Sequence, residues 1–215
     1  MGLGVNFFNS AAICLLVLVV CGCDRGQATS PVSTTPEQGT SAVPAADFAA
    51  TTKDAESGDA MAQFNLGVMY HSGEGVPQDH AEAAKWYRLA ADQGNFFAQE
   101  TMGMFYYNGL GVPQDYAEAL KWFRLAADQG NCLAQLELGE RYRDGEGVPQ
   151  NFIEAYSWFA VAAICGDTSG TYLGVQIRDD AAKARNAFAE EFTPQVLSQA
   201  QRRATELFEK ISSGK

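Results

Sequence analysis

Two histidines and five cysteines are the side chains of this 215-residue chain best suited to metal binding, proton transfer or nucleophilic attack. Each of those chemistries needs company. A zinc-type centre needs three or four N, S or O ligands converging on one point. A cysteine or serine nucleophile needs a base held beside it, and no local signature of such a pair occurs. No glycine-rich stretch opens a helix after a strand, so the glycines read as loop caps and not as a phosphate cradle. His71 and His80 return one and two periods later as Tyr107 and Arg143, and as Tyr116 and Phe152. They behave as ordinary variable positions. No catalytic residue, metal site or cofactor is expected.

That recurrence is the strongest signal in the chain. Residues 75–95 read GVPQDHAEAAKWYRLAADQGN, and residues 111–131 read GVPQDYAEALKWFRLAADQGN. Residues 147–167 return in degraded form as GVPQNFIEAYSWFAVAAICGD. A fixed period in this range marks a solenoid, whose units cannot bury their apolar faces alone. Three 36-residue units are cut at 59–94, 95–130 and 131–166. Each reads as two helices. In the first unit, helix A spans roughly Asp59–Ser72, with Ala62, Leu66, Gly67 and Tyr70 on one face. Helix B starts at Asp79, where Asp79 and Glu82 have the spacing of a capping box. The box recurs as Asp115/Glu118 and Asn151/Glu154, and Gly94, Gly130 and Gly166 are placed to end helix B. Gly67, Gly103 and Gly139 weaken helix A by about 1 kcal/mol each, a cost tolerated where a neighbour comes close. The pairs Trp86/Tyr87, Trp122/Phe123 and Trp158/Phe159 are the natural neighbours. The predicted fold is all-α, a solenoid of stacked antiparallel helix pairs.

The pattern AxxxLGxxYxxGxGVxxDxxxAxxWxxxAAxxG resembles the Sel-one-like repeat, a relative of the tetratricopeptide repeat, over residues 59–166. Residues 167–215 are similar to the closing units of bacterial members and are expected to form capping helices. There Gly174-Val175 is read in place of the Leu-Gly pair, and Thr193-Pro194 opens a last helix. The resemblance implies a non-catalytic scaffold that binds another protein or a peptide. Some cysteine-rich relatives bind penicillin-like compounds, so the alternative it carries is an envelope hydrolase of a cell-wall or β-lactam-like substrate. A structural spacer is the third reading.

Residues 1–22 precede the repeats with a short apolar run, 11–22, the length of a signal-peptide core. Its end, VVCGCD, resembles the lipobox of bacterial lipoproteins, with Cys23 as the lipidated residue. Residues 23–55, rich in Ser, Thr, Pro, Ala and Gly, are expected to be a disordered tether before repeats at 56–166. The protein is therefore expected to face the periplasm from a membrane, held by lipid. A net charge of −11 argues against a nucleic-acid partner.

Function is sought where the copies disagree. The resemblance places helix A on the concave side. The variable rows Phe64/Glu100, Val68/Met104/Glu140 and His71/Tyr107/Arg143 are the candidate groove. The row Met61/Phe97/Leu133 is read as packing between repeats. Cys132 starts helix A and Cys165 nears the end of helix B in the same unit. An antiparallel hairpin brings those ends together, so the two are a disulfide candidate.

Overall fold

The computed structural model describes residues 45–168 and 172–214. The expected signal segment, Cys23 and the tether as far as residue 44 lie outside the described residues. Among the described residues the chain is entirely helical. The elements are α1 Ala45–Glu56, α2 Ala60–Ser72, α3 His80–Asp92, α4 Phe96–Asn108, α5 Tyr116–Asp128, α6 Cys132–Asp144, α7 Phe152–Thr168, α8 Tyr172–Glu191 and α9 Pro194–Ser213. Helices α1 to α8 pack each on the next in chain order, and α9 returns to α7. No described helix is long and apolar enough to cross a membrane.

The end of the expected tether is a correction. Residues 45–56 form α1, because the first repeat leaves an apolar face that needs a cover. Ala55 is buried with Leu66 and Met69, and Phe48 packs edge-on against Tyr70. Gln63 Nε2 donates to the Ala55 carbonyl at 3.1 Å.

Local chemistry sets the helix ends. Asp59, Asn95 and Asn131 cap α2, α4 and α6 by accepting from the backbone N–H three residues on. Asp79, Asp115 and Asn151 accept from two backbone N–H groups each. The reciprocal half of the capping box is absent. The backbone N–H of Asp79, Asp115 and Asn151 donates instead to the carbonyls of Tyr70, Tyr106 and Tyr142. Glu82 and Glu118 are thereby released to pair with Lys85 and Lys121. Each loop glutamine, Gln78, Gln114 or Gln150, ties the turn by donating to a carbonyl seven residues back. Gly111 and Gly147 have φ of +65° and +74°, and any Cβ there would strike the backbone carbonyl of His80 or Tyr116. Each loop thus rests on the first turn of the previous helix B.

Three ladders run along the stack, the first within each unit and the other two reaching across units. The first seats the Gly67, Gly103 and Gly139 backbones against the rings of Tyr87, Phe123 and Phe159. The second is made of glutamines: Gln93 donates to Gln63, and Gln129 to Gln99, both at 2.7 Å. Gln99 and Gln135 reach back in turn to the carbonyls of Ala91 and Ala127. The third is cationic. Arg88 lies over Trp122 and Arg124 over Trp158, at 5.3 and 4.8 Å, and each hydrogen-bonds a tyrosine hydroxyl, Tyr106 or Tyr142.

The degraded third unit has a structural cause. Where earlier units expose Lys85 and Lys121, Ser157 is fully buried, its hydroxyl 2.6 Å from the Ile153 carbonyl of its own helix and 3.1 Å from the Ala200 carbonyl of α9. Where they expose Leu89 and Leu125, Val161 is buried in the cluster that holds Leu207. Arg203 pairs with Glu154, and Lys210 reaches Asp128 at the end of α5. The substitutions are the seat of α9. Ala160 replaces the stacking arginine because no fourth tryptophan follows. Cys165 replaces the ladder glutamine and is bridged to Cys132, Cα–Cα 5.5 Å. Gln135 Oε1 is left buried without a hydrogen bond.

Two further readings are corrected. Gly166 does not end helix B, since α7 runs on to Thr168. Gly174 is a buried glycine of α8, so the Leu-Gly pair there is Leu173-Gly174, one residue earlier than read from the sequence. Thr193 does cap α9, with Pro194 in its first turn.

Candidate functional site

His71, Tyr107 and Arg143 lie in the last turn of each helix A, half-buried beside the start of helix B. His71 Nδ1 is 3.2 Å from His80 Nδ1, and both rings pack on Phe105. Burial, and then the nearby His80, hold the His71 imidazole below its usual value. Tyr107 packs on Tyr116 at 5.2 Å, and burial pushes its hydroxyl up. Arg143 is committed to Asp144 through two hydrogen bonds of 2.7 Å. The row sits at the turn edge and already has intramolecular partners.

The rows nearer the middle of helix A divide. Phe64 and Val68 pack partly against the cluster that holds Tyr87 and Met102. Met104 is a correction: only 9% exposed, it belongs to the core beside Phe123 and Ala126, and no partner can touch it without rearrangement. Glu100 and Glu140 are half-buried on α4 and α6. The row read as packing between repeats is corrected in part, with Leu133 half-buried and the other two members exposed. Met61 is 49% and Phe97 44% exposed, because the close glycine–ring contacts lie on the other side of these helices. Phe97 touches Phe64 across the units, centroids 6.1 Å apart.

A charged cluster on α6 completes this face. Arg141 stands where earlier units have core Met69 and Phe105, and it is itself buried. Its guanidinium lies 4.1 Å from the centre of the Tyr107 ring. It is 3.2 Å from Glu140, 3.3 Å from Glu146 and 3.7 Å from Glu137. Glu137 is nine-tenths buried, and its ion pair to Arg141 is the longest of the three. Burial, opposed by Arg141, lifts its carboxyl to about 7. Burial together with the Glu137 charge lifts Glu100 to about 8. Burial also raises Glu140. Comparing the repeats in sequence singles out Glu140 but passes over Glu137 and Arg141. The usable signal is that residues 137, 140 and 141 change from apolar or neutral to charged together in one unit.

Concave space elsewhere is shallow. One cleft of about 300 Å³ lies between α7 and α8, lined by Ala163, Ile164, Arg178, Ala182 and Arg185. No group of three or more His, Cys, Asp or Glu able to hold a metal occurs among the described residues.

The Sel1 repeat family profile matches the chain three times, at residues 60–95, 97–131 and 132–167. Among solved structures, one similar chain is a protective antigen of uropathogenic Escherichia coli strains with an SLR fold. It is 33% identical with a TM-score of 0.65, over 77% of this chain and 33% of its own. This chain therefore spans about a third of that protein. Another is a Sel1 repeat protein from Oxalobacter formigenes, 34% identical with a TM-score of 0.53, over 62% of this chain and 98% of its own. No curated protein matches.

Proposed function

Because this chain belongs to the Sel1 repeat family, whose members are generally protein-interaction scaffolds, we propose that it is a non-catalytic scaffold binding a protein or peptide segment, held in the bacterial cell envelope by a lipid on Cys23. The observation that carries the binding half is the face of α2 and α4 that the other described residues leave exposed. Met61 and Phe97 are large apolar side chains left in water, while α9 covers the helix-B side at the other end of the stack. Exposed apolar residues grouped on one surface mark interaction sites more often than chance. A helix-repeat stack offers an extended surface for such contacts. The anchor half rests on the sequence of residues 11–24.

The test is a photo-crosslinking side chain placed at Phe97, with Lys85 on the helix-B side as control. A discrete adduct in native envelopes from position 97 and none from 85 supports the scaffold. Absence of adducts from 97, or the same adducts from both, overturns it. The anchor is tested separately. Cys23→Ser should leave the membrane fraction, and wild-type protein that takes up no clickable fatty acid ends that part.

A further inference from the structure

We propose that His71 and His80 form a two-histidine clamp for a borderline divalent metal ion of the zinc and copper class, both imidazoles binding through Nδ1 and water filling the remaining positions.

These are the only two histidines of the chain, and the fold sets them side by side. Taken singly, each is a variable position of the repeat. Together they are a pair of the side chain most often used as a metal ligand. Their Nδ1 atoms are 3.2 Å apart, with the rings tilted by 46°. Two nitrogens each about 2.0–2.1 Å from one ion stand about 3.3 Å apart at a tetrahedral angle and about 2.9 Å apart at a right angle. The observed separation lies inside that range, so a small turn of the rings admits the ion. The frame behind them is fixed. Asp79 and Tyr70, the residues just before each histidine, are joined by the Asp79 N–H donating to the Tyr70 carbonyl at 2.9 Å. Gln78 Nε2 donates to the His71 carbonyl at 2.7 Å, and the loop at Gly111 packs on the His80 carbonyl. Phe105 backs both rings, its centroid 5.3 Å from His71 and 6.2 Å from His80. The same backbone frame recurs in the next two repeats, where it carries Tyr107/Tyr116 and Arg143/Phe152.

The protonation state suits an ion as well. Burial and the neighbouring His80 favour the neutral imidazole of His71, which is the form that binds metal. Without an ion, one Nδ1 carries a hydrogen and the other accepts it. With an ion, that hydrogen sits on Nε2 of the same ring, so both Nδ1 lone pairs are free and no proton is lost. Neither ring has another hydrogen-bond partner among the described residues to hold it in one tautomer. Both rings are half-buried, so water has access to the open positions. Two protein ligands make a reversible site, unlike the four of a closed structural zinc.

The test compares the full chain with its His71→Tyr/His80→Tyr variant, a pairing that the second repeat already accommodates as Tyr107 and Tyr116. Zinc chloride and copper chloride are titrated into each by calorimetry, with magnesium chloride as control. Cys14, Cys21 and Cys23 are common to both proteins, so the difference reads the histidines alone. The variant should lose one bound zinc or copper ion per chain, or bind it roughly tenfold or more weakly. Added zinc should also move the Nδ1 resonances of both imidazoles in the nitrogen spectrum of the wild type. Equal titration curves for the two proteins overturn the proposal. A response to magnesium as large as that to zinc reduces it to charge screening and also overturns it. If the variant does not fold, the wild-type nitrogen spectra decide: Nδ1 shifts on both rings support the clamp, and unmoved signals or shifts confined to Nε2 reject it.

Discussion

A β-carbon placed on Gly139 would stand 2.5 Å from Cε1 of Phe159, and Gly67 and Gly103 hold the same relation to Tyr87 and Phe123 at 2.6 Å. Gly139→Ala therefore gains about 1 kcal/mol of helix propensity but forces the ring to move at about 1–3 kcal/mol. The net expectation is a lower urea midpoint, recovered when Phe159→Leu is added. A midpoint above wild type for the single variant would show that the ring yields freely.

Ser157→Lys restores the residue type of the other repeats and should nevertheless destabilise. The lysine would be buried under α9 without a partner, and about 2–4 kcal/mol is expected. Protease should then cut at the α8–α9 junction near Thr193. Lys85→Ser, at the equivalent exposed position, should stay within about 0.5 kcal/mol of wild type. Similar effects at both positions would contradict the seat.

The Cys132–Cys165 bridge closes a loop of 33-residue separation. Breaking it with Cys132→Ala should cost about 3–4 kcal/mol in the chain-entropy account. The double variant Cys132→Ala/Cys165→Gln should regain part of that loss. Its introduced glutamine can donate to the unpaired Gln135 Oε1 as Gln129 does to Gln99. A double variant no more stable than the single one would show that the ladder cannot be rebuilt there.

Glu100 and Glu137 release their protons near pH 8 and 7 in the folded chain, against an ordinary value of 4.5. The folded state therefore binds more protons than the unfolded one in between, and stability falls as pH climbs from about 4.5 toward 8. His71 acts in the opposite sense: its folded value is lowered, so its contribution is lost as pH drops below 6.5. Denaturation at about pH 6.5 and 8.5 should show the fall, and Glu100→Gln should flatten it. An unchanged slope in that variant would mean that the carboxyl is solvated.

The sequence shows most of the repeat fold because each solenoid unit is solved locally. Caps at Asp59 and Asp79, loop glycines and glycine–aromatic pairs all lie within one period. What it hides is long-range. Ser157, Ala160 and Val161 look like decay until α9 is seen on them, and Ala200 is 43 residues from Ser157. The face is half-legible for a related reason. Exposure along helix A depends on which side the glycine–ring contact takes, which moves Met104 inside and leaves Met61 and Phe97 outside. Arg141 hides because a cation at a core position makes sense only beside Glu137, Glu140 and Tyr107 together.

The return of α9 onto α7 and the end of α5 gives the stack a direction of unravelling. A nearest-neighbour array frays from both ends, each terminal unit held from one side only. Here Lys210 and Asp128, 82 residues apart, bind the carboxyl-terminal end across two repeats, and the bridge at Cys165 reinforces it. Among the described residues the opposite end is covered by α1, through Phe48, Ala55 and one glutamine. Amide exchange should begin in α1 and α2 and reach α7 last, so the apolar half of the exposed face belongs to the end that opens first.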